Sequence, residues 1–220
     1  IAEMKRLEQA KALLSQELSH RIKNIFAVIS ALLALSARQY PEARAFARAA
    51  RTRIAALARA HEFVRPHTES SRPSLDGTTL HAFLRDLFLP YDDEAGDPRV
   101  VVSGDDADFD DQAATPVALL FHELATNAAK YGALSAPDGR VCLTTLRRGD
   151  RYVMRWRERG GPPLDGPPKD AGFGSSLLAL SVEGQLGGAL EQTWAREGLE
   201  VAADIPATAL TPRRAAGQRP

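Results

Sequence analysis

The first third of the sequence carries an apolar repeat that only a packed helix satisfies. Apolar or small residues recur in alternating steps of four and three, at positions 18, 22, 25, 29, 32 and 36. The same spacing resumes after Pro41, at positions 43, 47, 50, 54, 57, 61 and 64. Such steps keep side chains on one helical face, so we predict a helix over 2–38 and a second one after Pro41. Joined by a few residues, the two form an antiparallel hairpin whose repeats face each other.

This hairpin, placed at 1–66, has a thin core because two helices bury little surface. Pairing with a second copy would complete a four-helix bundle, so we expect a homodimer. The second helix offers only three large aliphatic residues to the repeat, so a monomer stays open as an alternative. Those residues are Ile54, Leu57 and Val64.

A different pattern follows the hairpin. Polar, proline-containing sequence at 67–73 is typical of a linker, 74–208 mixes helical and strand patterns, and 209–220 is predicted to be a disordered tail. Helices are predicted over 80–89, 115–131 and 175–186. Strands are predicted over 99–103, 141–146, 151–156, 189–194 and 199–205. The fold class is therefore α+β, a helical hairpin followed by a mixed α/β domain.

Composition narrows the functional classes. The 28 basic and 28 acidic residues cancel, so no net field attracts nucleic acid. A single cysteine, Cys142, cannot form an internal disulfide, which fits a reducing compartment, and we expect a cytoplasmic protein. No apolar run approaches the roughly 20 residues of a membrane span, so we expect no membrane segment. The chain starts at Ile1 without a signal-like segment, and we interpret it as a fragment of a longer protein.

One helix of the second domain carries polar side chains in line. Thr115 as cap and Pro116 at the first helical position predict its start, and Gly132 predicts its end. Polar residues stand at i, i+4 and i+7, and they are Glu123, Asn127 and Lys130. A carboxylate, an amide and an ammonium on one side suit magnesium and phosphate, whereas a solvated polar row is the alternative.

A reachable imidazole is predicted on the hairpin. His20 lies between the repeat positions Leu18 and Ile22, which points it away from the hairpin core. Lys23 and Asn24 follow three and four residues later, where they could orient the ring or balance a phosphate charge. On its own such a histidine is equally compatible with a solvated surface residue.

Two glycine-containing segments offer ligand contacts. Glu158 and Gly160 are predicted at the rim of the sheet, where the carboxylate could accept a hydrogen bond from an exocyclic amine such as that of adenine. Gly172, Phe173 and Gly174 precede a helix whose free backbone N–H groups favour phosphate. Simple turns and a core Trp156 with a solvated Glu158 are the structural alternatives.

These motifs, in this order, resemble the sensor histidine kinases of the HWE subfamily. The resemblance rests on LSHRIKN at 18–24, HELATNAAKYGAL at 122–134, WRERGGPP at 156–163 and GFGS at 172–175. His122 matches the histidine of the asparagine box, and Trp156 with Glu158 matches the WxE sequence. The resemblance implies a dimerisation and phosphotransfer hairpin followed by an ATP-binding α/β sandwich of the Bergerat (GHKL) type.

The resemblance also implies a role for each matched residue. His20 would accept the phosphoryl group, with Lys23 and Asn24 beside it. Asn127 and Glu123 would act on magnesium, and Glu158 would recognise adenine. The other residues expected to contact the nucleotide are Lys130, Tyr131, His122, Gly160, Gly172, Phe173 and Gly174. His122 is equally compatible with a packing role.

The implied function is autophosphorylation of His20 from Mg-ATP, followed by transfer of the phosphoryl group to an aspartate of a response regulator. We expect an upstream sensory domain, which the fragment lacks, to control this activity. Two departures stand out. Arg21 follows His20 where many histidine kinases have an acidic residue, which leaves Glu17 as the nearest candidate base, and Ser176 stands where a basic residue often follows GFGS. The alternatives are an ATP-silent phosphotransfer and docking protein, and a GHKL-fold serine kinase of a partner protein.

Overall fold

The computed structural model describes residues 2–63, 79–168 and 173–210, and it divides into two compact units, Ile1–Gly77 and Thr78–Pro220. The predicted linker at 67–73 and the glycine at 172 lie outside the described residues. The predicted tail begins within folded structure. Leu210 is buried, and its carbonyl accepts a hydrogen bond of 3.2 Å from the Asp110 N–H, whereas 211–220 lie outside the described residues.

The first unit is the predicted helical hairpin. Helix α1 spans Ala2–Gln39, a short 3-10 turn spans Pro41–Ala43, and helix α2 spans Arg44–Phe63. On α2, the predicted repeat faces inward: Ala47 is buried, and Ile54 and Leu57 are partly buried. Lys23 of α1 and Glu62 of α2 form an ion pair of 2.5 Å between the helices.

The predicted inward face of α1 is wrong. Its half-buried residues, which share the face toward α2, include Ile22, Phe26 and Leu33. Most of the predicted inward positions belong instead to an exposed apolar stripe, which we call the α1 stripe: Leu18, Ile25, Val28, Ile29, Leu32 and Leu35. The helix is apolar on two adjacent faces, so the repeat alone did not distinguish the face that packs on α2 from the face that stays open.

The same two-sided apolar character corrects the statement about membrane spans. Within the described residues, the stretch His20–Gln39 is long and apolar enough to cross a membrane by length and composition alone. One stretch of this kind is weak support for a span, because helices that pack against protein pass the same test.

Within its described residues, the second unit is a five-stranded sheet covered by helices on one face. The strands are β1 (Val100–Gly104), β2 (Arg140–Arg148), β3 (Arg151–Arg159), β4 (Ala189–Ala195) and β5 (Gly198–Pro206). Their order is β1-β2-β3-β5-β4, with β1 parallel to β2 and the other pairs antiparallel. The helices are α3 (Leu80–Phe88), α4 (Asp111–Lys130) and α5 (Phe173–Ala179). The predicted α+β class and each predicted strand are confirmed.

The core lies between the helices and the sheet. Trp156 of β3 packs with Phe88 of α3 and Phe121 of α4, at ring-centroid distances of 5.8 and 6.3 Å. Alternate residues of each central strand face this layer, as the period of two requires. In β2, Val141 and Leu143 are buried, whereas Cys142 is exposed on the opposite face.

Two helix predictions differ from the structure. Helix α4 starts at Asp111 rather than at Thr115, because the Asp110 side chain caps it by accepting a 3.0 Å hydrogen bond from the Ala113 N–H. Pro116 therefore lies inside the helix, where it removes one backbone donor early in the helix. The predicted helix at 175–186 is α5 followed by a π-helical segment, Leu180–Gln185.

Candidate functional site

A cleft of about 520 Å³ opens in the second unit, within the size range of small-molecule sites. Helix α4 forms one wall, and α5, the segment after β3 and the strands β4 and β5 form the others. Leu164, in that segment, donates its backbone N–H to the Arg196 carbonyl at 3.1 Å, which fixes the segment to the turn between β4 and β5. The cleft thus brings together elements that are far apart in the sequence.

The three aligned polar residues of α4 do not all face the cleft. Glu123 is buried and Asn127 is partly buried, and both line the cleft. Lys130, in the last turn, is exposed and does not line the cleft. The structure therefore brings two of the three predicted side chains together, one carboxylate and one amide.

Glu158 is the last but one residue of β3, at the predicted end of the strand, and its side chain is buried rather than solvated. Its Oε2 accepts a 2.8 Å hydrogen bond from the Ala133 backbone N–H, and its Oε1 accepts a 3.1 Å hydrogen bond from Trp156 Nε1. Burial raises the pKa of the Glu158 carboxyl, while the Ala133 and Trp156 hydrogen bonds oppose that rise. Glu158 also lines the cleft, so a fixed carboxylate faces any ligand there.

Two glycines let these carboxylates approach the backbone. A Cβ on Gly132 would lie 2.0 Å from Glu158 Oε2, and a Cβ on Gly174 would lie 2.5 Å from Glu123 Oε1. Both glycines line the cleft. A larger residue at either position would have to displace a carboxylate, so the close approach of the carboxylates requires glycine at both positions.

The remaining predicted contacts have different surroundings. Tyr131 lines the cleft and is highly exposed. Gly160 lies next to the cleft-lining segment, and Phe173 begins α5 with an exposed ring, but neither lines the cleft. His122 is buried in α4 and does not line the cleft, and its carbonyl accepts a hydrogen bond from the Thr126 hydroxyl.

The donors available for a metal suit magnesium. Among the described residues, no group of three or more His, Cys, Asp and Glu side chains could hold a metal ion by itself. The cleft does offer Glu123 and Asn127, which carry the oxygen ligands that Mg²⁺ prefers. Mg²⁺ in phosphate-handling sites is held by one or two carboxylates together with substrate phosphates and water, and Glu123 would supply one such carboxylate.

The hairpin presents the predicted imidazole. His20 is exposed on α1, as are Lys23 and Asn24. Lys23 is paired with Glu62, a neighbour from α2 that the sequence did not single out. Glu17, the candidate base, pairs with Arg21 at 2.7 Å.

Sequence reasoning missed the contribution of β4 and β5 to the cleft. Gln192 and Trp194 of β4 line it together with Leu199 of β5. The residues of β4 at positions 190, 192 and 194 are its alternate, less exposed ones. A glutamine in such a half-buried register was the available signal, because a polar side chain at an inward position needs a polar partner or a cavity.

Comparison with known proteins gives consistent matches. The family model described as HWE histidine kinase matches residues 17–106. A blue-light-activated histidine kinase of Rhizobium johnstonii is 33% identical over 209 residues, covering 93% of this chain and 56% of that protein. Blue-light-activated histidine kinase 1 of Erythrobacter litoralis is 30% identical over 207 residues, covering 94% of this chain and 56% of that protein. The chain thus spans about half the length of these relatives.

The fold comparison points the same way. The histidine kinase domain of the Erythrobacter litoralis EL346 blue-light activated histidine kinase matches 90% of this chain and 100% of its own, with a TM-score of 0.57 and 19% identity. That likeness establishes a shared fold. The sequence comparisons point to one family: residues 17–106 match the HWE histidine kinase model, and the two relatives, both histidine kinases by name, match more than nine tenths of this chain.

Proposed function

We propose that this chain is the kinase core of a sensor histidine kinase, which phosphorylates His20 from Mg-ATP and passes the phosphoryl group to an aspartate of a response regulator. The observation that carries the proposal is the cleft that combines Glu123, Asn127 and the fixed carboxylate of Glu158. The two sequence relatives are named histidine kinases, which supports the same activity.

In this proposal the cleft binds the nucleotide by its two ends. Glu158 accepts a hydrogen bond from the adenine amine, and Asn127 and Glu123 provide oxygen ligands for Mg²⁺ at the phosphates. When bound, the metal neutralises charge on the phosphates. Lys130, Tyr131 and the glycine segment 172–174 would also contact the nucleotide, and His122, which is buried, would support α4 from within the core.

The chemical step is a transfer from oxygen to nitrogen. A ring nitrogen of His20 attacks the γ-phosphorus in line, the bond to the β,γ-bridging oxygen breaks, and ADP leaves. Neutral imidazole has a free lone pair, so the attack needs an oriented tautomer more than a strong base. Lys23 and Asn24 lie on the same helix three and four residues away, where they can orient the ring or balance charge.

The experiment is incubation of the protein with γ-labelled ATP. Phosphohistidine is labile to acid and stable to alkali, so the label should disappear in acid and be absent from His20→Ala. His67→Ala is the matched control, a histidine outside the motif, and should label like the wild type. Label that persists in His20→Ala, or that resists acid, would refute the proposed acceptor. An ATP-silent phosphotransfer protein would instead show no magnesium-dependent ATP binding in a titration.

We also propose the setting of this core. The α1 stripe is suited to cover its counterpart in a second copy, which would form a homodimer through a four-helix bundle. The hairpin at 1–66, the linker at 67–73 and the catalytic domain that follows would work under a sensory domain outside this chain. The free thiol of Cys142 suits the reducing cytoplasm.

A further inference from the structure

Trp156 and Glu158 are two residues apart on β3, so their side chains project from the same face of the sheet. The indole N–H donates to Glu158 Oε1 at 3.1 Å, and the Ala133 N–H donates to Oε2 at 2.8 Å. Each carboxylate oxygen therefore has one protein donor. The Trp156 side chain thus holds Oε1, and the backbone just after α4 holds Oε2.

The donor on Trp156 is itself immobile. The indole ring is 1% exposed, with Phe88 and Phe121 packed near it at centroid distances of 5.8 and 6.3 Å. An aromatic ring in a close-packed core keeps one rotamer, so the position of its N–H is set by the core rather than by solvent. The orientation of Glu158 is consequently coupled to the packing of α3 and α4 against the sheet.

We infer that Trp156 is a positioning residue, which holds Glu158 so that the cleft selects nucleotides whose base presents an N–H donor. The inference rests on the proposed function, since it concerns the nucleotide that the cleft would bind. An ionised carboxylate only accepts hydrogen bonds, and each oxygen of Glu158 keeps a lone pair beyond the one its protein donor uses. A base edge without an N–H donor would leave that buried acceptor unsatisfied, which is costly.

The ionisation state of Glu158 gives the inference a distinct signature. Burial raises the pKa of this carboxyl, and the Trp156 hydrogen bond is one of two interactions that lower it. Removal of the indole donor should raise the pKa of Glu158 further. Since protonation turns one acceptor oxygen into a donor, ATP affinity should then begin to fall at a higher pH than in the wild type.

The test compares two nucleotides in the full chain. Binding of Mg-ATP and of the magnesium complex of purine riboside triphosphate, which lacks the 6-amino group, is measured by titration calorimetry between acidic and neutral pH. For Trp156→Phe we expect ATP affinity to fall about tenfold, in line with loss of one hydrogen bond to a charged group, with little change for purine riboside triphosphate. The pH at which ATP affinity falls should also move upward.

Two further variants separate positioning from packing. Phe83→Leu removes a buried ring of α3 that stacks on Phe109 and leaves both rings beside the indole in place, so it should retain wild-type selectivity and pH dependence. Glu158→Asp, one methylene shorter, cannot reach both donors and should lose selectivity even if Trp156→Phe does not fold. Wild-type selectivity in Glu158→Asp, or equal loss for both nucleotides with an unmoved pH profile in Trp156→Phe, would overturn the inference. Absence of any Mg-ATP binding by the wild type would instead refute the proposed function.

Discussion

The two units differ in where they keep their large apolar side chains. In the second unit, Trp156, Phe88 and Phe121 are almost completely buried between helices and sheet. Among the hairpin side chains that the structure describes, the fully buried ones are alanines of α2, whereas the large residues of the α1 stripe are 40–59% exposed. The second unit thus has a core of its own, and the hairpin has a surface that is suited to a partner.

This difference bears on how each unit is stabilised. Burying a large apolar side chain contributes about 1.5–3 kcal/mol, so the second unit gains most of its stability from contacts within the chain. The hairpin can gain the same contribution only when another apolar surface covers the α1 stripe. We therefore expect the stability of the hairpin to depend on protein concentration, and that of the second unit not to.

The largest effect should come from the core of the second unit. Phe121→Ala removes a buried ring beside Trp156 and should lower the free energy of unfolding by about 4 kcal/mol. Both tryptophans of the chain, Trp156 and Trp194, lie in this unit, so tryptophan fluorescence in a urea titration reports it selectively. Leu32→Ala on the α1 stripe is the matched change and should leave that transition in place. A loss below about 1 kcal/mol for Phe121→Ala would contradict a self-contained core.

The second effect concerns the α1 stripe. In a symmetric dimer, Leu32→Asp would bury a charge in each copy, so the dimer dissociation constant should rise at least about 100-fold. Light scattering over a dilution series measures this. Ala27→Asp adds the same charge at an exposed position outside the stripe and should leave the dimer intact. A wild-type chain that is monomeric at every concentration would contradict the inference that the α1 stripe is covered by a second copy.

The third effect tests the close approach of Gly132 to Glu158. A Cβ at Gly132 would lie 2.0 Å from Glu158 Oε2, so Gly132→Ala should cost about 1–3 kcal/mol of stability and weaken Mg-ATP binding. Gly149→Asn is the control, because its backbone φ of +62° suits asparagine and nothing lies within 4 Å of a Cβ there. Fluorescence-detected unfolding and nucleotide titration give both readouts. Unchanged binding in Gly132→Ala would show that the carboxylate can move without consequence.

The fourth effect is the pH dependence of the buried carboxyl. Because burial raises the pKa of Glu158 above its unfolded value, its stabilising contribution is present at acidic pH and is lost as pH rises through the folded pKa. Glu158→Gln cannot ionise, so its stability relative to the wild type should improve from acidic to neutral pH. Urea titrations at several pH values measure the difference. A difference that is independent of pH would mean that Glu158 titrates as an ordinary carboxyl.

The smallest effect lies on the open face of the sheet. Hydrogen bonds from Arg159 and Arg157 lower the pKa of Glu200, so its contribution is present above the unfolded pKa and is lost as pH falls through the folded one. Glu200→Gln should cost only about 0.5 kcal/mol at neutral pH, since such partly exposed pairs are worth little. The stability lost in Glu200→Gln should disappear in acid, whereas the stability lost in Glu158→Gln should be largest there. Urea titrations at the same pH values measure both. The same pH trend in both variants would contradict the difference between the two environments.

The predicted features that agree with the structure depend on local patterns. Period-two alternation in β2 and β3 predicted the strands, and the breaks at Pro41 and Gly132 marked where helices end or restart. The start of α4 was misjudged because Thr115 and Pro116 imitate a cap, while the nearby Asp110 caps the helix through the Ala113 N–H.

The features that the sequence did not predict depend on contacts between distant residues. Glu158 was predicted at the end of its strand, but the sequence pattern could not show that its carboxylate would be buried, because one of its two donors is the Ala133 N–H, 25 residues away. The apolar repeat of α1 could not show which face of the helix packs on α2, because the spacing is the same whether an apolar residue packs on α2 or on another chain. Gln192 and Trp194 reached the cleft only through the pairing of β4 with β5.

Cys142 gives the open face of the sheet an experimental use. It is the single thiol of the chain, and it is exposed on the side of β2 opposite the helices and the core. One maleimide fluorophore would therefore attach at a defined place in the second unit, without mutagenesis and away from the residues that line the cleft. In oxidising buffers the same exposed thiol could cross-link two chains, so a reductant belongs in every measurement of the oligomeric state.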